Sequence, residues 1–298
     1  MLSGVNPILP TPFTVDGDVD IASLQRLMAF QNEVGVQGVA ILGFMGEAHK
    51  LSEKERDAVV RTVVAEAKGL KVWVGVRALG TAGAIEQAQK AEALGADAVF
   101  VAPIAPQNDK ALYEYYKHVA QALTIPLIIH DFPESFGISI SPEVIAQLAF
   151  DGYAPYIKLE EQPVLAKLSK ILKLSQSSIN VFGGLGGKYF YEELERGAAG
   201  IMTGLAYPEI LLKIYRQFRS GNKAEAAATF DKYASYIRYE FQPKIGLAYR
   251  KHIFVGRGIF SSDHIRSPGL QLDDYSRGEL GGVLERVGLD LSPGVKSI

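Results

Sequence analysis

The stretch Pro155-Tyr156-Ile157-Lys158-Leu159 is apolar at nearly every position, and its one charge is a lysine. A half-exposed strand alternates apolar and polar residues, whereas a continuous apolar run of this length predicts a strand buried on both faces, as in a parallel sheet. Working outward, similar runs occur at 5–9, 39–42, 72–76, 98–101, 126–129, 179–182 and 200–203, which makes eight in the first 220 residues. The segments between them, near 20–34, 53–69, 82–94, 110–122, 142–150, 162–175, 187–196 and 208–219, carry the apolar spacing of helices.

Helix ends are signalled in the same stretches. Ser52 with Glu55 predicts a capping box. Ser141 before Pro142 reads as an N-cap with proline at the first helical position. Asp20 and Thr81 are predicted N-caps, and Gly35, Gly95 and Gly197 stand where helices should stop. Eight strand–helix repeats predict a (β/α)8 TIM barrel over residues 1–220. A doubly wound open sheet is the alternative that pattern alone leaves open. Residues 221–298 show no strand repeat and predict helices near 222–250 and 273–288, separated by a Gly- and Pro-bearing stretch at 256–269. This part reads as a helical C-terminal extension packed on the barrel.

Composition narrows the function classes. The 298 residues carry 31 basic and 33 acidic side chains, a net charge of -2, and basic residues meet only in pairs such as Arg250-Lys251, so no nucleic-acid partner is expected. There is no cysteine, hence no disulfide, thiolate metal site or cysteine nucleophile. The opening MLSGVNPILP has no basic n-region or long apolar core, and no apolar run approaches the ~20 residues of a membrane span, so a cytoplasmic chain with no membrane partner is expected. The histidines at 49, 118, 130, 252 and 264 show no ligand spacing, so no metal site is expected.

In a barrel, function collects where the strands end at their C-termini. Lys158 is the outstanding residue there. A lysine in a buried strand must be paired or lose its charge, and desolvation frees the neutral amine to attack carbonyls. The plainer reading is an ion pair with Glu160 or Glu161. His130 ends the fifth run, in Leu127-Ile128-Ile129-His130-Asp131, and places an acid/base on the neighbouring strand if both side chains point inward. Otherwise it is a histidine satisfied by backbone. The glycine-rich stretch 183–187 after the seventh run suits a phosphate cradle, a close approach of backbone to a carboxylate, or a tight turn. It does not fit the dinucleotide pattern.

These residues in order resemble the dihydrodipicolinate synthase/N-acetylneuraminate lyase superfamily over nearly the whole chain. Gly4-Val5-Asn6-Pro7-Ile8-Leu9-Pro10-Thr11-Pro12-Phe13 is similar to the family's first strand and turn. Gly43-Phe44-Met45-Gly46-Glu47, followed by Leu51-Ser52-Glu53, resembles its Gly-Thr-Thr-Gly-Glu motif and trailing helix. Gly95-Ala96-Asp97 is similar too, and His130-Asp131-Phe132-Pro133 stands where the family has Tyr-Asn-x-Pro. The resemblance implies a barrel with a helical extension and a homo-oligomer, dimer or tetramer. It implies class I aldolase- or dehydratase-type lyase chemistry on pyruvate or a longer 2-oxo acid through a Schiff base on Lys158, with no cofactor. Catalytic roles fall to Lys158 and His130, and substrate binding to Phe44, Met45, Gly183 and Met202.

The departures carry as much meaning. The family's threonine pair is replaced by Phe44 and Met45, and its phenol acid/base by His130, whose imidazole titrates near neutral pH. Pro103 is followed by Ile104 and Ala105 where dihydrodipicolinate synthases have two tyrosines. Ser135 stands near where those enzymes hold a second substrate with arginine. These changes argue against dihydrodipicolinate synthase activity itself while leaving Schiff-base formation intact. Phe44 and Met45 predict an apolar site mouth suited to an apolar or aromatic substrate tail, and Glu47, Glu134 and Glu160 are supplementary acid/base candidates. A non-catalytic ligand-binding barrel and a phosphate-binding barrel enzyme are the alternatives.

Overall fold

Parallel pairing runs almost unbroken around the molecule. The computed structural model describes residues 2–78, 80–103 and 108–298. Among these, eight parallel strands form one sheet: β1 (Gly4–Val5), β2 (Gly38–Ile41), β3 (Lys71–Val76), β4 (Ala98–Val101), β5 (Leu127–Asp131), β6 (Tyr156–Leu159), β7 (Asn180–Gly183) and β8 (Gly200–Ile201). The order is β1-β8-β7-β6-β5-β4-β3-β2. A parallel bridge between Ile8 and Ala40 joins the two ends, with Leu9 N donating to Ala40 O and Ala40 N to Pro7 O, each at 2.8 Å. The chain is a (β/α)8 barrel.

Its helices are α1 (Ile21–Val34), α2 (Glu53–Ala65), α3 (Thr81–Ala93), α4 (Asp109–Gln121), α5 (Pro133–Phe136), α6 (Pro142–Phe150), α7 (Val164–Leu174), α8 (Phe190–Glu195) and α9 (Pro208–Arg219). Three more follow the last strand–helix unit: α10 (Lys223–Glu240), α11 (Gly246–Gly256) and α12 (Asp274–Val287). None of the helices described is long and apolar enough to cross a membrane.

Alternation along the strands divides the apolar residues into two cores. Ile8, Ala40, Trp73, Ala98, Phe100, Ile128, Tyr156, Phe182 and Met202 fill the lumen, so the barrel is packed and not a pore. The intervening strand residues, such as Val74, Val99, Ile129, Ile157 and Val181, pack outward against the helices. This two-sided burial is why the strands read as continuous apolar runs.

The predicted caps at Asp20, Ser52 and Ser141 are all present, the second as a complete capping box. Gly35 takes the left-handed conformation at the end of α1. Thr81 is not a cap: it is the first helical residue of α3, and Gly80 precedes it with no side-chain bond. The helix expected over 222–250 is broken between α10 and α11. Pro243 removes an N–H from that segment, and Lys244 sits at φ 69°, so the helical ladder cannot continue. The short α5 was absent from the sequence expectation because four residues give no period to read; Pro133 starts it and Gly137 at φ 72° ends it.

Candidate active site

Strand register brings the central residues together. His130 on β5 pairs directly with Lys158 on β6. Both side chains point into the barrel mouth and are buried, with Lys158 Nζ 3.0 Å from His130 Nε2. Glu160 lies one strand period beyond Lys158 and therefore on the same face. Its Oε2 ion-pairs with Lys158 Nζ and stands 3.1 Å from His130 Nε2. Its other oxygen accepts from Leu185 N at 2.9 Å. An amine, an imidazole and a carboxylate thus share one buried cluster.

Burial sets the protonation states. It lowers the Lys158 amine below the usual lysine value, against the pull of Glu160. It lowers His130 to about 4, aided by the charge of Lys158, so the imidazole is neutral at neutral pH. For Glu160, burial acts upward but is outweighed by Lys158 and His130, and the carboxyl is held down at about 2. His130 Nε2 faces both neighbours: as a donor it bonds Glu160, as an acceptor it takes a hydrogen from Lys158. In the neutral ring these are two tautomers, with the hydrogen on Nε2 in the first and on Nδ1 in the second.

Apolar rings wall the imidazole. Phe100, Phe132 and Phe136 have ring centroids 5.6, 6.3 and 5.0 Å from that of His130. The adjoining Asp131 points away and pairs with Lys167 at 2.7 Å, yet burial raises its carboxyl to about 7. Glu161 also pairs with Lys167, so of the two acids adjacent in sequence only Glu160 reaches Lys158.

The glycine-rich stretch makes a close approach to carboxylates. A Cβ on Gly184 would lie 2.4 Å from Glu160 Cγ, and one on Gly183 would lie 1.8 Å from Glu193 Oε2. Leu185 N and Gly186 N donate to Glu160 and to Thr203 Oγ1, so these amides already have protein acceptors. This occupancy disfavours the phosphate-cradle reading. Glu193 is buried beneath Gly183, and neither of its carboxyl oxygens has a hydrogen-bond partner among the described residues. Burial, with Glu160 and Glu192 nearby, raises it to about 8.

The turn after β2 is tied down from the C-terminal helices. Glu47, in the left-handed region at φ 53°, accepts from Lys251 Nζ at 2.6 Å and from Lys50 Nζ at 2.8 Å. Lys251 is fully buried in α11, and burial lowers its amine to about 8 despite Glu47. Phe44 is 42% exposed and stacks on His49. Met45 packs against the lumen core, and Met202 belongs to that core with no exposed surface. Glu134 and Ser135 lie in α5, Glu134 pointing to solvent. Ile104 and Ala105 fall outside the described residues. No group of three or more His, Cys, Asp or Glu side chains among the described residues is arranged to hold a metal ion.

Sequence reading offered Glu160 as an ion-pair partner of Lys158 and as a supplementary acid/base, and gave no role to Arg77 or Lys251. For Glu160 the signal was there: Lys158 and Glu160 are two residues apart in a strand. For Lys251 it was not, because its partner Glu47 is 204 residues away.

Fold and cluster together define a (β/α)8 barrel with ionisable groups buried at the rim where such barrels do their chemistry. The chain belongs to the dihydrodipicolinate synthetase family, whose model matches residues 1–287. It is 27% identical over 294 residues to the L-2-keto-3-deoxyarabonate dehydratase of Azospirillum brasilense, covering 95% of this chain and 94% of that one. The crystal structure of dihydrodipicolinate synthase from Rhodopseudomonas palustris superposes with a TM-score of 0.90 at 34% identity, covering 96% of this chain and 97% of the other. The chloride-inhibited dihydrodipicolinate synthase from Acinetobacter baumannii, complexed with pyruvate, superposes with a TM-score of 0.90 at 25% identity, covering 97% and 100%. The chain is thus a member of a lyase and dehydratase superfamily.

Proposed function

We propose that this protein is a class I lyase in which Lys158 forms a Schiff base with pyruvate or a longer 2-oxo acid. The observation that carries the reading is the buried Lys158 amine, 3.0 Å from a neutral imidazole and ion-paired with Glu160. The ammonium gives up one proton to His130 Nε2, 3.0 Å away. The free amine then attacks the ketone carbon. The proton taken from the ammonium returns to the carbinolamine hydroxyl, which leaves as water, and the nitrogen is left as a protonated iminium. The positive charge therefore stays at the nitrogen that Glu160 already faces, and Glu160 serves as counter-ion throughout. Loss of a C3 proton or cleavage of the C3–C4 bond delivers electrons into the iminium, and His130 moves the protons that these steps require.

Aldol chemistry and dehydration share this iminium, and a related dehydratase and a related synthase in complex with pyruvate support both. The reading includes a homo-oligomer, dimer or tetramer, acting in the cytoplasm. It also treats 221–298 as an extension built onto the barrel, since Lys251 of α11 anchors Glu47 in the turn after β2. Incubation with a panel of 2-oxo acids, reduction with borohydride and peptide mapping test it. An adduct on Lys158 that disappears in Lys158→Ala is the expected result. Folded protein that forms no adduct with any 2-oxo acid refutes it.

A further inference from the structure

Arg77 follows the last residue of β3 and has no role in the chemistry above. Register places it. Val76 pairs with Val101, Val101 with Ile129, and Ile129 with Ile157. One residue further on, Arg77, Ala102, His130 and Lys158 therefore lie at one level of the barrel. They also share a face, because Trp73 lies in the lumen and Arg77 stands two strand periods beyond it. Arg77 and Lys158 are three strand spacings apart, about 14 Å along the wall. Ala102, between them in register, contributes only a methyl group.

Among the described residues, aromatic faces and no carboxylate hold the guanidinium. Its carbon lies 5.4 Å from the centre of the Phe44 ring and 5.2 Å from that of Phe136. Phe136 in turn stands 5.0 Å from the His130 ring, so one aromatic side chain touches both the imidazole and the guanidinium. Arg77 Nη1 is buried and has no hydrogen-bond partner among the described residues. The neighbouring charge that acts on Arg77 is Arg56, a second cation. Across the mouth, Glu160 already balances Lys158. Among the described residues the guanidinium therefore has no anionic partner, and its planar donor fork suits a carboxylate. The aromatic surface of Phe44, which on sequence grounds suits an apolar substrate tail, instead supports this cation.

We infer that Arg77 binds a second carboxylate on the substrate, so that the site takes 2-oxo dicarboxylates in preference to 2-oxo acids with apolar tails. The inference rests on the proposed imine at Lys158 for its orientation: the ketone lies at β6 and the distal carboxylate at β3. A second carboxylate also raises the electrostatic share of binding, so affinity should fall with added salt.

Two measurements test the subsite and keep its failure separate from failure of the imine. The first is borohydride trapping as a function of concentration, comparing 2-oxoglutarate with 2-oxopentanoate, which has the same carbon chain without the second carboxylate. A charge-assisted bond at a desolvated site is worth roughly 10- to 100-fold, so wild-type protein should half-saturate with 2-oxoglutarate at a concentration lower by that factor. In Arg77→Met the ratio should fall to about one, and Arg77→Lys, which keeps the charge and loses the fork, should restore part of it. Because the readout is a ratio within one variant, partial loss of folded protein does not change it. The second measurement is calorimetric binding of glutarate, which has no ketone and forms no imine; it should bind wild type and not Arg77→Met. If no 2-oxo acid is trapped but glutarate binding depends on Arg77, the imine reading fails and the subsite stands. Equal half-saturation by the two oxo acids in wild type, tighter 2-oxopentanoate, or glutarate binding unaffected by Arg77→Met overturns the inference.

Discussion

Replacing Glu160 by glutamine keeps the shape of the side chain and removes its charge. The amide oxygen can still accept from Leu185 N, which donates to Glu160 Oε1 at 2.9 Å. What is lost is the counter-ion of Lys158, in a pair whose two side chains are each 5% exposed. Removing one partner of such a pair leaves a buried charge unpaired, which costs about 3–5 kcal/mol. For a chain of this size that lowers the melting temperature by roughly 5–8 °C at neutral pH. The amine can escape part of this penalty by shedding its proton, and that fixes the pH dependence. Burial already holds Lys158 below its ordinary value of 10.5, and without Glu160 it falls further. Above its folded pKa the native amine is neutral while the unfolded chain still binds the proton, so stability rises with pH up to the unfolded value. The deficit of Glu160→Gln should therefore shrink as pH is raised toward 10. The pH midpoint for borohydride trapping of a 2-oxo acid should move down in the same variant. Denaturant melts and trapping rates across pH 5 to 10 provide the assay. A trapping midpoint unchanged from wild type, or a stability deficit independent of pH, would falsify the assignment of Glu160 as the counter-ion.

Three further outcomes follow from the same geometry. His130→Ala should leave trapping on Lys158 largely intact while slowing turnover by about 10²–10⁴, as expected for loss of a general acid/base; unchanged turnover on a substrate that the wild type converts removes His130 from the mechanism. Glu193, raised by burial to about 8, binds a proton in the native state that the unfolded chain releases near 4.5, so it makes stability fall between those pH values; Glu193→Gln should flatten that slope, and a melt series in which the variant tracks wild type contradicts the buried neutral acid. Lys251, lowered by burial to about 8 against 10.5 unfolded, makes stability rise through that window; Lys251→Met should remove the rise and, with Lys50 still paired to Glu47, reduce stability at pH 7 by only about 2 kcal/mol, a loss that chemical denaturation reads directly.

The barrel was legible in the sequence because its strands are buried on both faces, and a run such as 155–159 has no polar side to hide. Helix starts were legible where a side chain makes the cap, as at Ser52 and Ser141, and misread at Thr81, where Gly80 begins the helix without a side-chain bond. The break between α10 and α11 was signalled by Pro243 and still missed, because the apolar spacing continues across it. Lys158 and His130 stood out as polar residues in apolar runs. Arg77 did not, since its significance comes from Phe136, which arrives from β5 through a four-residue helix too short to foresee. The phosphate-cradle reading of 183–187 loses support for a similar reason: only the folded chain brings Glu160 to the amide of Leu185.

The central claim is that one particular amine is the nucleophile, and the chain contains a second depressed lysine to test that choice. Lys251 lies in an environment that lowers it to about 8. Its ammonium is nevertheless held by Glu47 and by the His264 carbonyl, with no exposed surface. Intact-protein mass spectrometry after treatment with a 2-oxo acid and borohydride, followed by peptide mapping, should show one adduct per chain, located on Lys158. An adduct on Lys251 or spread over surface lysines, with Lys158 unmodified, would contradict the account.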